Sequence, residues 1–400
     1  MKILFITTRI PYPPINGGTI VTFNTIKYLA LRGHSITLVT FTEESNRSLE
    51  KLEKYCKIII QPEKPKDSLK EILLNFFDKK PYKISKYITK GMENLIKNIM
   101  LTSTFDIVWI DHLHMAYYGK LLKTLFKVPV VLREHNIESK IWERISRNQK
   151  NILLKAYILL QYKKFYSYES QICEKFDKCF TISQADKETL KRMNSKINVS
   201  VIHAGVDTSY FYPRHIDEEP YSIIFVGSMN WLPNIEGVRW FYHKIFPLIK
   251  KEIPEAVLYI IGKKPSREIQ MLKGKDVVVT GFVEDVREYM AKAKVFIVPL
   301  KAGSGIRIKI LNALAMGKAV VSTSIGCEGI EVDNGKNIYI ANTPKDFAQK
   351  VIRLLNDKKE RQRLGKEGLK LIKEKYQWEQ IAEQIENQIN IIKGMNLYQN

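Results

Sequence analysis

Hydrophobic residues in this chain come in short bursts separated by polar stretches of helical period. KILFI (2–6), HSITLVTF (34–41), FDIVWI (105–110), KVPVVL (127–132) and FDKCFTI (176–182) are rich in Val, Ile and Phe and alternate little with polar residues. Runs of this kind mark strands covered on both faces, as in a parallel sheet between helical layers. After Val201 the series restarts with YSIIFVG (221–227), AVLYIIG (256–262), DVVVTG (276–281), KVFIVPL (294–300), AVVSTS (319–324) and NIYIA (337–341). Helical spacing occupies intervals between them, for example 22–32, 235–250 and 345–355. Strand and helix alternating in this way predict βαβ units, and the restart predicts two doubly wound α/β domains meeting at a cleft. In such sheets ligands sit beyond the carboxyl ends of the strands, so the loops there are where chemistry is expected.

One of those loops stands out. AGSGIRIKILNALAMG (302–317) follows a predicted strand, and from Ile306 its apolar residues recur at Ile310, Leu311, Leu314 and Ala315. Gly303 and Gly305 let backbone approach a ligand closely, and Ser304 is the expected N-cap of the helix that follows. Arg307 and Lys309 fall in or just before its first turn. Free N–H groups, the positive end of the helix dipole and two cations converge there, which describes a phosphate site. The competing reading is an ordinary strand-loop-helix connection with two basic residues facing water.

A second glycine loop, PYPPINGGTIV, places Gly17 and Gly18 before a helix expected from about Thr19. Two further loops, DHLHMA (111–116) and REHNIES (133–139), hold three of the seven histidines and several carboxylates. His112 and His114 share a face of an extended segment, a spacing that suits a metal, but no neighbouring ligand set completes such a site. A histidine orienting a hydroxyl fits better, and His112 and His114 themselves read as structural hydrogen-bonding residues.

Composition narrows the class. Four hundred residues make two or three domains, each with its own core. The amino-terminal apolar run is broken by Pro11, Pro13 and Pro14, which reads as a buried strand and loop rather than a leader. No apolar stretch approaches membrane-spanning length; ILLKAYILL (152–160) is short and interrupted by Lys155. The four cysteines form no CxxC pair and read as reduced, buried thiols of a cytoplasmic protein. The net charge of +22 is uneven: residues 1–200 hold 34 basic and 19 acidic side chains, the remainder 30 and 23. An excess of this kind suits an anionic partner, although a lysine-rich composition bias explains it as well. No RNP, helix-turn-helix or finger pattern supports nucleic acid as that partner. Lys79, Lys80, Lys83, Lys86, Lys90 and Lys97 surround Tyr82 and Tyr87, and residues 144–175 join an apolar helical stretch to Arg144, Arg147, Lys150, Lys155, Lys163 and Lys164. Both segments suit an anionic lipid surface, and both suit solvated helices that pack one face inward.

Several stretches together carry a resemblance. VIHAGVDTSYFYP (201–213), the amino-terminal glycine loop, FTISQADKETLKR (180–192), FVGSMNWLPN (225–234), VTGFVEDVREYMAKAKVFIVPL (279–300) and ALAMGKAVVSTSIGCEGI (313–330) resemble, in order, the signatures of glycosyltransferase family 4. That resemblance implies the GT-B fold, with an acceptor-side domain over 1–203 and a nucleotide-sugar-binding domain over 204–376. It also implies that segment 377–400, whose Trp378, Ile381, Ile385, Ile389 and Ile392 form an apolar stripe, crosses back to the first domain. The implied activity is retaining transfer of a sugar from a UDP- or GDP-linked donor, without a metal or other cofactor, to a glycan or lipid-linked acceptor.

Carried over residue by residue, the resemblance makes His135, Arg307 and Lys309 the candidate catalytic residues. It assigns donor binding to Gly17, Gly18, Ser228, Phe282, Val283, Gly303, Ser304, Gly305 and Asn312. Phe282 and Val283 would wall the nucleobase. Two departures matter. Many relatives have glutamates where this chain has Ser304 and Asn312, and an Arg and a Lys where it has Ser228 and the Pro233–Asn234 pair. Arg307 and Lys309 would supply the missing positive charge. In the implied front-face route the enzyme holds the partners, stabilises charge on the departing diphosphate, and closes its domains to exclude water. The alternatives are a GT-B nucleotide-sugar epimerase, which needs a proton-abstracting pair, and a relative that binds nucleotide sugars without transfer.

Overall fold

The computed structural model describes residues 1–41, 49–63, 65, 67–303 and 305–397; Ser304 lies outside the described residues. The chain divides into two units, Met1–His203 with Ile381–Asn400, and Ala204–Gln380.

In the first unit, seven strands form one parallel sheet among the described residues: β1 (Lys2–Thr7), β2 (Ser35–Phe41), β3 (Lys57–Gln61), β4 (Ile107–Asp111), β5 (Val130–Glu134), β6 (Lys178–Thr181) and β7 (Val199–Val201). Their order is β3-β2-β1-β4-β5-β6-β7. The central strands are buried on both faces: Ile3 to Ile6, Ile107 to Ile110 and Val130 to Leu132 are all without solvent contact. This explains their unbroken apolar runs. The expected strands did not include β3 or β7. Both are edge strands: β3, KIIIQ, is only partly covered, and β7 is three residues long.

The second unit repeats the plan with β8 (Ser222–Val226), β9 (Val257–Ile261), β10 (Val277–Gly281), β11 (Val295–Val298), β12 (Ala319–Ser322) and β13 (Tyr339–Ile340), ordered β10-β9-β8-β11-β12-β13. In both sheets the chain reverses direction of travel between the first and fourth strands. That is the switch point at which doubly wound folds bind ligands. The expected helix over 235–250 is interrupted by a wide π turn, Phe241–Ile245, just before Pro247. Pro247 has no N–H to give to the carbonyl of residue 243, so the regular ladder cannot pass through.

The last helix, Trp378–Leu397, buries Ile381, Ile385, Ile389 and Ile392, the stripe visible in the sequence. From Ile381 on it belongs to the first unit, where Glu386 pairs with Arg32 and Lys393 with Asp106. The four cysteines are buried free thiols. Among the described residues, no helix is long and apolar enough to cross a membrane.

Candidate functional site

Each unit gathers its polar residues at its own switch point, and the two collections differ in kind. In the second unit, the loop after β11 turns through Gly303 (φ 125°) and Gly305 (φ 75°), both in the region that favours glycine. These turns delay the helix, which runs from Ile308 to Ala315 with Arg307 at its cap and no side-chain capping bond. The cap expected at Ser304, which lies outside the described residues, falls instead at Arg307, because the two left-handed glycines delay the start of helical backbone to Ile308. Arg307 is buried. Its Nη1 donates to the carbonyl of Gly305, its guanidinium lies 5.6 Å from the Trp231 ring, and a Cβ on Gly303 would come within 2.6 Å of its Nη2.

Lys309 turns towards the first turn of the helix Leu232–Trp240, which follows β8. Its Nζ donates to Asn234 Oδ1 at 2.9 Å and lies 4.3 Å from the Phe225 ring. Asn234 in turn donates from Nδ2 to the carbonyl of Ser228 at 2.8 Å, and the Ser228 hydroxyl donates to Asn230 Oδ1 at 2.7 Å. A Cβ on Gly227 would sit 2.5 Å from the Lys309 ammonium, so glycine there makes room for it. Burial, and next to it the like charge of Arg307, pull the Lys309 pKa down to about 7. The helices that follow β8 and β11 therefore meet at their first turns through Asn234 and Lys309, beside the buried Arg307.

The other expected donor residues are less tightly joined. Asn312 lies one turn beyond Lys309, on the same side of the helix, half-buried and with no side-chain hydrogen bond among the described residues. Phe282 follows the edge strand β10, two strands from the switch point, and is 76 % exposed, with Val283 half-buried behind it.

In the first unit the switch point holds a cavity of about 220 Å³ at the ends of β1, β4 and β5, lined among others by Arg9, Asn16, Gly18, His112, His114 and Glu138. Asn16 caps the helix Gly17–Leu31 reciprocally with Thr19: each side chain accepts from the other's backbone N–H, at 3.0 and 3.1 Å. Gly18 lies 3.6 Å from His112 at its would-be Cβ, an ordinary contact, and Gly17 faces open space.

Asp111, at the buried end of β4, organises this cavity from beneath. It accepts from Thr22 Oγ1 at 2.6 Å and lies 3.0 Å from His135 Nε2 and 3.6 Å from His112 Nε2. Burial alone would push its carboxyl up; His135, His112 and the buried Arg133 reverse that and hold it well below the usual carboxylate range. The His112 and His135 rings stack at 4.0 Å. His112 itself has φ 79°, a left-handed backbone rare for a residue with a side chain and a mark of sites where function outweighs strain. Burial and His135 push the His112 imidazole far below its ordinary value, while burial and Lys86 lower His114 to about 4. Both rings line the cavity.

His112 and His114 are not the pair that converges. His112, His135 and Asp111 bring ligand atoms within 4.8 Å of one another, a set that could hold a cation. Against that stand the direct Asp111–His135 contact and the nearby positive charges of Arg133 and Arg9. Sequence reasoning missed three members of these sites: Asp111, Glu138 and the bridging role of Asn234. Asp111 and Glu138 stood in plain view in DHLHMA and REHNIES, the first at the carboxyl end of β4 and the second at the start of the helix that follows β5, which was the available signal. Glu138 has its pKa raised to about 8 by burial and by the Glu169 carboxylate behind it. Glu169 is itself held by the backbone N–H groups of Glu138 and Ser139.

Comparison with known proteins gives a consistent result. The description "Glycosyltransferase Family 4" matches residues 15–210 and "Glycosyl transferases group 1" matches residues 220–357. An uncharacterised 44.6 kDa protein in the cps region of Klebsiella pneumoniae is 27 % identical over 368 residues, covering 88 % of this chain and 90 % of its own. Sucrose-phosphate synthase from Thermosynechococcus elongatus superposes with a TM-score of 0.75 at 16 % identity, over 98 % of this chain and 99 % of that one. An Anabaena protein solved with UDP and glucose superposes with a TM-score of 0.67 at 13 % identity, over 98 % and 99 % of the two chains. At such identities the structural likenesses speak for the fold alone.

Proposed function

The chain belongs to the family 4, group 1 glycosyltransferases, and from that premise we propose retaining transfer of a sugar from a nucleoside-diphosphate sugar to a glycan or lipid-linked acceptor. The observation that carries this reading is the Gly303–Lys309 loop, where a buried arginine and an enclosed lysine stand at the start of a helix. The donor's diphosphate fits there. Arg307 and Lys309 meet the charge that grows on the leaving group, and the helix N-terminus adds its partial positive charge. Ser228 and Asn234 flank the same place. Phe282 and Val283 receive the base, UDP or GDP, and Asn312 faces the ribose.

The first unit's cavity receives the acceptor side of the reaction, with Gly17 and Gly18 at its rim. His135, held by Asp111, orients a sugar hydroxyl, and Glu138 accepts or donates a hydrogen bond at the cavity wall. The two cations do for the diphosphate what a metal does elsewhere, so transfer proceeds without one. Synthesis of a cell-surface polysaccharide or glycolipid, at the inner face of the membrane, is the setting this chemistry suits. A second reading rests on Asn312: a side chain with one acceptor holds the ribose less well than a carboxylate, which favours a protein that binds nucleotide sugars without transferring them.

The test uses the purified protein and a panel of UDP-, GDP- and ADP-sugars. A sugar nucleotide at about 100 times its Kd adds about 2.7 kcal/mol to the unit that binds it and raises its Tm by several degrees. NMR of the sugar released by slow donor hydrolysis then reads the anomer before it equilibrates. Retention supports the reading. An inverted product overturns the retaining mechanism, no thermal shift overturns donor binding, and binding without turnover favours the second reading.

A further inference from the structure

One face of the first unit is apolar and takes no part in the sugar chemistry. The short helix Leu69–Leu74 buries none of its residues, and the 3-10 turn Asn75–Phe77 that follows it leaves Phe77 92 % exposed. The helix Ile152–Ile172 opens in the same way, with Ile152 and Leu153 82 % and 84 % exposed. These stretches form one patch. The Phe76 ring meets Tyr157 at 5.7 Å, Gln161 Nε2 donates to Asn75 Oδ1 at 3.0 Å, and Lys164 reaches the Asn75 carbonyl. So many large apolar side chains in solvent on one face need an occupant.

Charge identifies it. Lys70, Lys79, Lys150 and Lys155 are exposed around the patch, with Glu71 among them and the exposed carboxylates Glu63 and Asp67 at its edge, Asp67 already paired with lysines. Three other lysines that the sequence singles out are engaged elsewhere: Lys83 and Lys86 both pair with Asp67, and Lys164 turns inward. A second copy of this chain is a poor occupant, since self-pairing about a two-fold axis would set lysine against lysine.

We propose that this face docks on an anionic lipid bilayer, with Leu69, Leu73, Phe77, Ile152 and Leu153 entering the headgroup region and the lysines lying against anionic lipid. The proposal rests on the reading of a lipid-linked acceptor and says how such an acceptor is met. Apolar side chains at the tip and cations at the rim are the combination that holds a protein reversibly at an interface.

The experiment is co-sedimentation of the full chain with phosphatidylcholine vesicles and with the same vesicles containing phosphatidylglycerol. The chain binds the anionic vesicles, binds neutral ones weakly, and releases as salt rises. The double variant Phe77→Ser with Leu153→Ser keeps its Tm, because both side chains are exposed, yet loses about tenfold or more in anionic-vesicle binding. Unchanged binding by that variant overturns the proposal, as does failure of the parent chain to bind either vesicle. A concentration-dependent dimer that the same substitutions abolish also overturns it, in favour of a second copy. Donor binding in vesicle-free buffer separates this claim from the transfer reading: its loss counts against the transferase alone.

Discussion

The two units share a strand order and a switch point, yet what they hold there is opposite in chemical character. The first unit ends β4 in a buried aspartate and surrounds it with histidines, a threonine and a buried arginine, each already bonded to another. The second unit ends β8 and β11 in glycines and brings a lysine and an arginine into the space those glycines leave. Topology places a ligand; side chains decide which one. A preformed network of imidazole rings around one carboxylate suits positioning a sugar hydroxyl. Two close cations at a helix start suit an anion whose charge grows during reaction.

That contrast can be broken most forcefully at Asp111. Asp111→Ala leaves the buried Arg133 without its nearby carboxylate and His135 without its partner, while Thr22 keeps the Gly18 carbonyl, and removing one partner of a buried charged cluster costs about 3–5 kcal/mol. The expected outcome is a large loss of stability confined to the first unit, read as an earlier thermal transition. Titration of UDP into the folded protein should be unchanged, because the residues proposed to hold the diphosphate belong to the second unit.

Asn312→Glu sharpens the other side. A carboxylate accepts from two ribose hydroxyls where the amide accepts from one, so the donor's Kd should fall by about 1–2 kcal/mol in free-energy terms. A 2′,3′-dideoxy donor analogue should respond little. An equal response of both ligands shows that this residue does not face the ribose.

Fold and site were legible in the sequence to different depths. Strands buried on both faces betray themselves by unbroken Val and Ile runs, so the central strands were plain. β3 and β7 were not, because an edge strand needs neither length nor two apolar faces. Gly303, Gly305, Arg307 and Lys309 were legible as a group because they lie close together in the chain. The start of the helix after them was misplaced, since two successive left-handed glycines postpone helical backbone and no propensity argument counts such a delay. Asn234 escaped as a bridge because its partner is 75 positions away. Asp111 escaped because a lone carboxylate after an apolar run looks like any strand end, and Glu138 because an acidic residue in a first helical turn is ordinary, until the fold shows what surrounds each.

Protonation offers two finer tests. Lys309, near pH 7 in the free protein, is only partly charged at neutrality, and a bound diphosphate favours its charged form. Nucleoside diphosphate binding should therefore take up a proton above pH 7, and affinity should fall as pH rises, by at most about tenfold per unit for one proton. Calorimetry in buffers of different ionisation enthalpy measures that uptake, and Lys309→Gln should abolish it. The smallest effect belongs to Glu138. Its folded pKa is raised above the ordinary 4.5 to about 8, so the stability it contributes is fully present below pH 4.5 and lost as pH rises through 8. Glu138→Gln, neutral throughout, should outlast the parent chain on heating at pH 9 by on the order of 1 kcal/mol, with water around the half-buried carboxyl allowed for.

The central claim, that the cations of the second unit hold a diphosphate, has a direct measurement. UDP and GDP are titrated into the parent chain, into Arg307→Ala, and into Arg307→Lys as a variant that keeps the charge and limits any loss of packing. Removing a charge-assisted contact should weaken binding by about 1.5–3 kcal/mol in the alanine variant, with partial recovery in the lysine one. Affinities that are the same in all three proteins, each folded as judged by its melting transition, would contradict the account and move the donor site away from the Gly303–Lys309 loop.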